Sequence, residues 1–331
     1  MPTPQHVPPP ELRDRCFSLR DATRTGLTGH QLFGPGYESV MTGVWRSVHH
    51  SVHQDPVARL LDALPPLLSS LPTTAASHLT SALLLGLRLP GWLRTSTPIH
   101  LTRWVAGRAP RVAGVTGHVA QLDPQDRWSS GDVRVVGPTR TVVDLAGMKD
   151  PHSGTNLITD DALVAVLDGL ISFHQTGIHA GKPPLRALAE VEADLERMGR
   201  RRGVARVRRN LSRCAAGVDS ALETHARLAL EHAGLAGFVT DREIRVPGMG
   251  SANPGLAHEQ WKIAIRVEGP HHDQQGQRTR DIKRQRITEA AGWIEIRVTA
   301  ADLVPPYPGG EPRIVNLVRE AMKQRVASSR R

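Results

Sequence analysis

Residues 262–298 read KIAIRVEGPHHDQQGQRTRDIKRQRITEAAGWIEIRV and determine the fold expected for the C-terminal part of the chain. The first segment, Lys262–Glu268, is rich in β-branched residues and ends at a Gly-Pro pair, which predicts a strand. A basic helix is predicted over Arg278–Ala291, and Trp293–Val298 predicts the next strand. A strand, a helix and another strand in this order are typical of an α/β fold with a mixed sheet flanked by helices.

The flanking segments extend this pattern in both directions. Ser220–Ala233 (SALETHARLALEHA) predicts a helix, with Asp219 or Ser220 as its N-cap and Gly234 directly after it. Val239–Val246 predicts a further strand, and Arg313–Arg325 a last helix. We therefore expect residues 216–326 to form one α/β unit with Lys262–Glu268 as a central strand.

The first part of the chain has a different organisation. Five prolines among the first ten residues predict a disordered tail over 1–10. Short helices at Leu19–Thr25 and Gly29–Phe33, followed by a strand, a turn and a strand over Tyr37–Val48, are typical of a winged-helix-like module over 11–55. Another small helical module with a hairpin fits this pattern equally well.

The middle of the chain mixes helices and strands. A mixed α/β region is predicted over 56–150, with a helix at Val57–Ser70 that Pro65 and Pro66 interrupt. The other elements expected there are a helix at Ser77–Leu85, strands at Ile99–Thr102, Gly117–Ala120 and Val133–Val136, and a helix that starts at Pro138. A helical connector over 151–215 is expected to contain helices at Thr159–Ile171 and Pro184–Met198.

The charge of the chain favours a polyanionic partner, with nucleic acid first. The formal net charge is +10, and residues 197–213 hold eight arginines and no acidic residue. On a helix this run would form a positive face that contacts phosphates, although a solvated linker helix is the alternative. The residues expected to contact DNA are Arg201, Arg202, Arg206, Arg208, Arg209, Arg266, Arg280, Lys283 and Arg284.

The sequence gives no sign of a zinc site, a disulfide or a membrane segment. Cys16 and Cys214 are accompanied by no CxxC motif or Cys/His cluster, so buried free thiols in a reducing cytosol are expected. No apolar stretch is long enough to span a bilayer, and the N-terminus lacks the apolar core of a secretory signal. We therefore expect a cytoplasmic protein with no membrane partner and no bound metal.

Two groups of segments resemble known families. LETHARLALEHAGL (222–235), KIAIRVEGPHH (262–272) and TRDIKRQRITEAAGWIEIRVTAADL (279–303) resemble the very-short-patch repair endonucleases of the PD-(D/E)xK superfamily. SLRDATRTGLTGHQL (18–32), GVWRSV (43–48), ASHLTSALLLGL (76–87) and PTRTVVDLA (138–146) resemble AbiEi-type antitoxin proteins, in which an endonuclease-like domain often follows. The first resemblance implies a restriction-endonuclease-like fold for the C-terminal unit.

That resemblance also implies a Mg²⁺ site made of carboxylates, which this chain has partly lost. Family members have V-D-L-A followed by E-Y-D-G-x-x-H, where this chain has PGLA (254–257) and RVEGPHH (266–272). Gly255 replaces the aspartate and Arg266 replaces the glutamate, whereas Glu268, His272 and the helix residue Glu223 retain the pattern. An arginine beside Glu268 would neutralise the carboxylate and repel a divalent ion.

The residues of this remnant site also have structural interpretations. Glu268 could form an ion pair with Arg266 or with an arginine of the basic helix. His272 and its neighbour could be polar residues that follow a turn. Asp281 and Arg284 have the spacing of an intrahelical ion pair.

Three functions compete on this basis. The first is a DNA-binding protein with an inactive endonuclease-like domain, an antitoxin-like regulator whose second partner would be a toxin or another protein. The second is an active Mg²⁺-dependent endonuclease with a site rearranged around Glu223, Glu268 and His272. The third is an interaction protein in which both modules serve as scaffolds. Only the second requires a cofactor.

Overall fold

The computed structural model describes residues 8–94, 98–173, 181, 183–269 and 277–328. These residues belong to an α/β protein whose sheets, some antiparallel and some mixed, are flanked by helices. The chain divides into two compact units. Unit 1 comprises Met1–Leu157 and Arg200–Gly203, and unit 2 comprises Ile158–Gly199 and Val204–Arg331.

Unit 1 contains a small N-terminal sheet and a five-stranded sheet. Its elements are α1 (Pro10–Arg13), β1 (Phe17–Ser18), α2 (Leu19–Arg24), α3 (Gly29–Leu32), β2 (Tyr37–Met41), β3 (Val44–Ser47), α4 (Pro56–Ser69), β4 (Thr74–Ala76), α5 (His78–Leu84), β5 (Ile99–Arg103), β6 (Val115–Val119), β7 (Arg127–Ser130), β8 (Val133–Val136) and α6 (Pro138–Gly147). The small sheet has the order β1-β3-β2 and is antiparallel. The larger sheet has the order β6-β5-β4-β8-β7, in which β5 and β6 run parallel, as do β4 and β8.

The short N-terminal helices form where the sequence predicts them, because their ends are capped. The hydroxyl of Ser18 accepts a hydrogen bond from the backbone N–H of Asp21, and that of Thr28 accepts one from Gln31. Gly26 has a φ of +81°, the left-handed conformation that ends α2. The N-terminal helices and the small sheet pack around a core made of Leu12, Phe17, Ala22, Leu27, Leu32 and Tyr37.

The predicted interruption of α4 is wrong. The helix runs unbroken through Pro65 and Pro66 to Ser69. Leu64, Leu67 and Leu68 are buried on its inner face, and the free energy of burying that face outweighs the loss of two backbone donors. The predicted tail also ends earlier than expected, because α1 begins at Pro10.

Unit 2 consists of a helical part followed by two small sheets and their helices. Its elements are α7 (Asp160–Ile171), α8 (Leu188–Met198), α9 (Val204–Leu211), α10 (Ala221–His232), β9 (Ile244–Val246), β10 (Gly250–Ala252), β11 (Leu256–His258), β12 (Ile263–Glu268), α11 (Gln277–Ala290), β13 (Ile294–Thr299) and α12 (Arg313–Ser328). Strands β9 and β10 form a separate antiparallel pair. The long strand predicted over Val239–Val246 is therefore wrong in extent, since only its last three residues form β9.

The central position of β12 is confirmed. It pairs antiparallel with β11 and parallel with β13 in a three-stranded sheet. Ile263 and Ile265 of β12 point into a core with Ile296 and Val298 of β13, and α10 and α12 cover that face. Alternation along the strand places Ala264, Arg266 and Glu268 on the opposite face.

The helix α7, expected in a connector, packs inside unit 2 against α10. Asp168 of α7 is fully buried and accepts hydrogen bonds from Arg227 Nη2 at 3.0 Å and Thr224 Oγ1 at 2.8 Å, both on α10. The backbone N–H of Ala215 donates a third bond at 2.8 Å. Burial raises the pKa of Asp168 although these donors oppose the shift.

The arginine-rich run does not form one continuous helix. The helix α8 ends before Gly199, whose φ is +63°, and α9 begins after Gly203, whose φ is +97°. A Cβ atom at Gly203 would lie 2.0 Å from the carbonyl oxygen of Val143, so only glycine fits there. The expected positive helix face is therefore divided between two units.

Candidate nucleic-acid-binding site in unit 2

The site predicted from the sequence lies on the face of the three-stranded sheet opposite the apolar core. Arg266 and Glu268 of β12 share this face with Glu295 and Arg297 of β13, because the two strands pair in parallel register. The basic helix α11 packs against β13, β9 and β10. These contacts bring Arg284 and Asp281 of α11 close to the four charged residues of the two strands. Three arginines and three carboxylates therefore lie together.

Arg266 is a largely buried guanidinium with unused donors. Its side chain is 14% exposed, and its Nε lies 3.7 Å from Glu295 Oε1, which is too long for a hydrogen bond. Within the described part of the chain, the buried Nε and Nη2 atoms have no hydrogen-bond partner. Desolvation lowers the pKa of Arg266, and the negative charge of Glu295 opposes that shift. A guanidinium nevertheless remains charged in proteins. This position is therefore suited to an anion.

Among the side chains that the structure describes, Glu268 does not pair with Arg266 or with an arginine of α11, as the sequence suggested. Its Oε1 lies 3.3 Å from Arg297 Nη1 on the neighbouring strand. Arg297 also contacts Glu295 through Nε at 3.0 Å. The register of β12 and β13, which the sequence does not show, determines this pairing. The intrahelical pair of Asp281 and Arg284 is confirmed, at 3.6 Å.

Glu223 lies beside Gly255, so two positions of the predicted remnant site are neighbours. Glu223 is 9% exposed, and its Oε2 accepts a hydrogen bond from the backbone N–H of Asp219 at 2.8 Å. A Cβ atom at Gly255 would lie 2.9 Å from the Glu223 side chain. Glu223 thus fills the space that an aspartate at position 255 would need. His272, the third member of the predicted site, lies outside the described residues.

The arginines expected to contact DNA have different environments. Arg280 and Lys283 are exposed on α11, and Arg208 and Arg209 are exposed on α9. The prediction for Arg206 is wrong. This side chain is 7% exposed and donates to Asp160 Oδ1 at 2.6 Å and to the carbonyl oxygen of Ile158 at 2.6 Å.

Two further arginines of that prediction belong to unit 1. Arg201 donates from Nη1 to the carbonyl oxygen of Gln121 at 3.0 Å, so part of its side chain supports local structure. Arg202 is exposed.

No family model, curated protein or solved structure matches this chain. Among the described residues, no helix has the length and apolar character needed to cross a membrane.

Two groups of possible metal ligands occur in unit 1, where the sequence predicted none. His78, His100 and His118 form the first group. The second consists of His50, His53 and Asp62, and Cys16 lies beside it with Sγ 3.2 Å from Asp62 Oδ2. The members of the first group come from three separate elements, so no short sequence motif indicates it. In the second group His50 and His53 are three residues apart in the segment between β3 and α4, and Asp62 comes from α4.

The first histidine group is neutral at physiological pH. The rings of His78 and His118 stack at 3.9 Å between centroids, and His100 Nδ1 lies 2.9 Å from His118 Nε2. Burial, reinforced by the neighbouring histidines, lowers the pKa of His78 to about 2 and that of His100 to about 4. Burial also lowers the pKa of His118.

These shifts predict that metal-free protein loses stability in mild acid. Each histidine has a lower pKa in the folded state than in the unfolded state. Their contribution to the free energy of unfolding is therefore complete above pH 6.5 and declines as the pH falls towards 4. At about 1.4 kcal/mol per pH unit, the titration of one such histidine removes about 2 kcal/mol between pH 6.5 and pH 5. Urea titrations at both pH values measure the loss. The variant His100→Asn should lose less over this interval, and an equal loss would contradict the assignment.

Proposed function

We propose that the protein binds duplex DNA in the cytoplasm and that residues 216–326 of unit 2 form a restriction-endonuclease-like domain that has lost catalysis. The observation that carries the proposal is Arg266, a buried cation with donors that lack partners among the described residues, at the position where the resemblance implies a metal-binding glutamate. These donors, Nε and Nη2, are shielded from solvent, so a phosphate group of the DNA backbone would accept their hydrogen bonds and compensate the buried charge only after the groups that cover them move aside.

The surroundings of Arg266 support phosphate binding over metal binding. Mg²⁺ requires oxygen ligands that offset the loss of its hydration shell. Glu268 is already held by Arg297, and Glu223 accepts a hydrogen bond from the backbone of Asp219. Gly255 offers no side chain at all. The exposed cations of α11, Arg280 and Lys283, extend the positive surface along which a DNA backbone would lie.

Unit 1 adds a second element to the proposal. The helices α2 and α3, followed by the β2–β3 hairpin that pairs with β1, have the order of a winged helix-turn-helix. In that arrangement α3 would enter the major groove and the hairpin would contact the backbone. With the resemblance to AbiEi-type antitoxins, this supports a regulator that binds DNA and a toxin or another protein.

The variant Arg266→Met tests the site, because it should weaken DNA binding without lowering the stability of the fold. Methionine keeps most of the side-chain volume and removes a charge that is costly to bury, while Glu295 retains Arg297 as its partner. We expect the free energy of unfolding to stay unchanged or to rise by about 1 kcal/mol. Affinity for a fluorescent duplex should fall about tenfold, since a charge-assisted hydrogen bond to phosphate is lost.

The matched control is Arg313→Met, which removes the same charge from a side chain that is 72% exposed. It should weaken DNA binding less than about twofold, because a screened surface charge contributes little. Equal losses for both variants, or a large loss of stability in Arg266→Met, would contradict the assigned role of Arg266.

A further inference from the structure

The three-histidine group in unit 1 has the donor arrangement of a metal site. His78, His100 and His118 each offer one ring nitrogen, and the three nitrogens lie within 4.8 Å of one another. In a tetrahedral zinc site with bonds of about 2.0–2.1 Å, two ligand nitrogens are about 3.4 Å apart. His100 Nδ1 and His118 Nε2 lie 2.9 Å apart in a hydrogen bond between nearly parallel rings, so the rings must separate and turn before both nitrogens point at one ion.

The fold holds these rings with local constraints. His100 and His118 lie on the neighbouring parallel strands β5 and β6, where His118 is paired with Thr102, two residues beyond His100. His78 is the first residue of α5 and has a φ of +51°, a conformation that costs free energy in a non-glycine residue. Its Nδ1 lies 3.0 Å from Ser77 Oγ, so this contact orients the ring and leaves Nε2 for a ligand.

We propose that His78, His100 and His118 bind a divalent transition metal ion, with Zn²⁺ as the ion whose preferred ligands fit best. Neutral imidazole nitrogens suit Zn²⁺, Cu²⁺, Ni²⁺ and Co²⁺, whereas Mg²⁺ and Ca²⁺ require oxygen ligands. The site is thus chemically distinct from the Mg²⁺ site that the endonuclease resemblance implies in unit 2.

Three protein ligands leave one coordination position for an exogenous group. All three histidines line a cleft of about 610 Å³ within unit 1, so a fourth ligand can reach the ion. Lys149, Arg202 and Asp144 also line this cleft, and Asp144 is paired with Arg140 at 2.8 Å. The two cations favour water, hydroxide or a small anion at that position. An open position of this kind is a feature of catalytic rather than structural zinc sites.

The second group of possible ligands is a weaker candidate and supplies the control. Its carboxylate, Asp62, already accepts a hydrogen bond from the backbone N–H of Cys16 at 2.7 Å and lies 2.9 Å from His50 Nε2. These hydrogen bonds explain why the side chains lie together, so no bound ion is needed. His53 is its exposed member.

Calorimetric titration of the full, chelator-treated chain with Zn²⁺ tests the proposal. We expect one Zn²⁺ site per chain. Its affinity should fall about a hundredfold or more in His118→Gln and in His78→Asn, because even the loss of a group that only supports a ligand lowers metal affinity by up to that factor. Asparagine tolerates the positive φ at position 78, so the second variant keeps the fold. His53→Ala should bind as the wild type does.

X-ray absorption of the zinc-loaded wild type counts the ligands independently of any variant. Three imidazoles and one oxygen ligand are expected. No binding by the wild type, undiminished binding in both variants, loss of binding in His53→Ala, or a coordination shell with fewer than three imidazoles would overturn the proposal.

Discussion

Replacing Asp168 with alanine is expected to lower the free energy of unfolding of unit 2 by about 3–5 kcal/mol. The substitution removes the buried carboxylate that accepts hydrogen bonds from Arg227, Thr224 and the backbone of Ala215. Arg227 is itself buried, and among the described residues the carboxylate that it would keep without Asp168 is Glu231, at 2.9 Å, whose side chain is 39% exposed. A guanidinium that has lost its buried partner inside the α7–α10 interface is costly, and urea titration of the full chain measures the loss.

The matched control is Asp161→Ala. Asp161 also lies on α7 and pairs with an arginine, Arg213, at 2.7 Å, but its side chain is 35% exposed. Solvent screens that pair, so we expect a loss of about 1 kcal/mol or less. Similar losses for the two variants would show that the buried pair does not hold α7 in unit 2.

Binding to duplex DNA is expected to weaken about a thousandfold between 50 mM and 200 mM salt. The exposed cations of α11 and α9, together with Arg266 and the half-buried Arg284, supply enough positive charge for six or more phosphate contacts. These residues are Arg208, Arg209, Arg266, Arg280, Lys283, Arg284 and Arg286. Each contact releases condensed counterions, so the logarithm of the affinity falls linearly with the logarithm of the salt concentration.

Fluorescence anisotropy at several salt concentrations gives this slope. The double variant Lys283→Gln/Arg286→Gln removes two cations from α11 and should reduce the slope by about 2. A slope that is flat in the wild type, or unchanged in the double variant, would contradict phosphate binding by this helix.

The sequence predicted local elements more successfully than their associations. The helices α2 and α3 are set by capping residues that lie within a few positions of one another, and β12 by an uninterrupted β-branched segment. Such signals are local, which explains why their existence and type could be predicted. The uninterrupted α4 was missed because its stability depends on tertiary packing of the face that contains Leu64 and Leu67.

The candidate nucleic-acid-binding site could be predicted only in part, because it too depends on contacts between distant parts of the chain. The chain order placed Arg266 and Glu268 on one face of a strand, but the partner of Glu268 depends on the register with β13. Arg206 has the sequence context of a surface cation, yet it is buried against Asp160, a residue far away in the chain. The contact between Gly255 and Glu223 and the grouping of three histidines likewise require the folded chain.

DNA binding without cleavage is tested by electrophoresis of supercoiled plasmid after incubation with the protein at low salt in Mg²⁺ or Mn²⁺. We expect the plasmid to migrate more slowly while protein is bound and to return to its intact supercoiled form once the protein is digested away. Nicked or linear product that disappears with the variant Glu268→Gln would contradict the proposed loss of catalysis, because it would show that the remnant carboxylates still hold a catalytic metal ion.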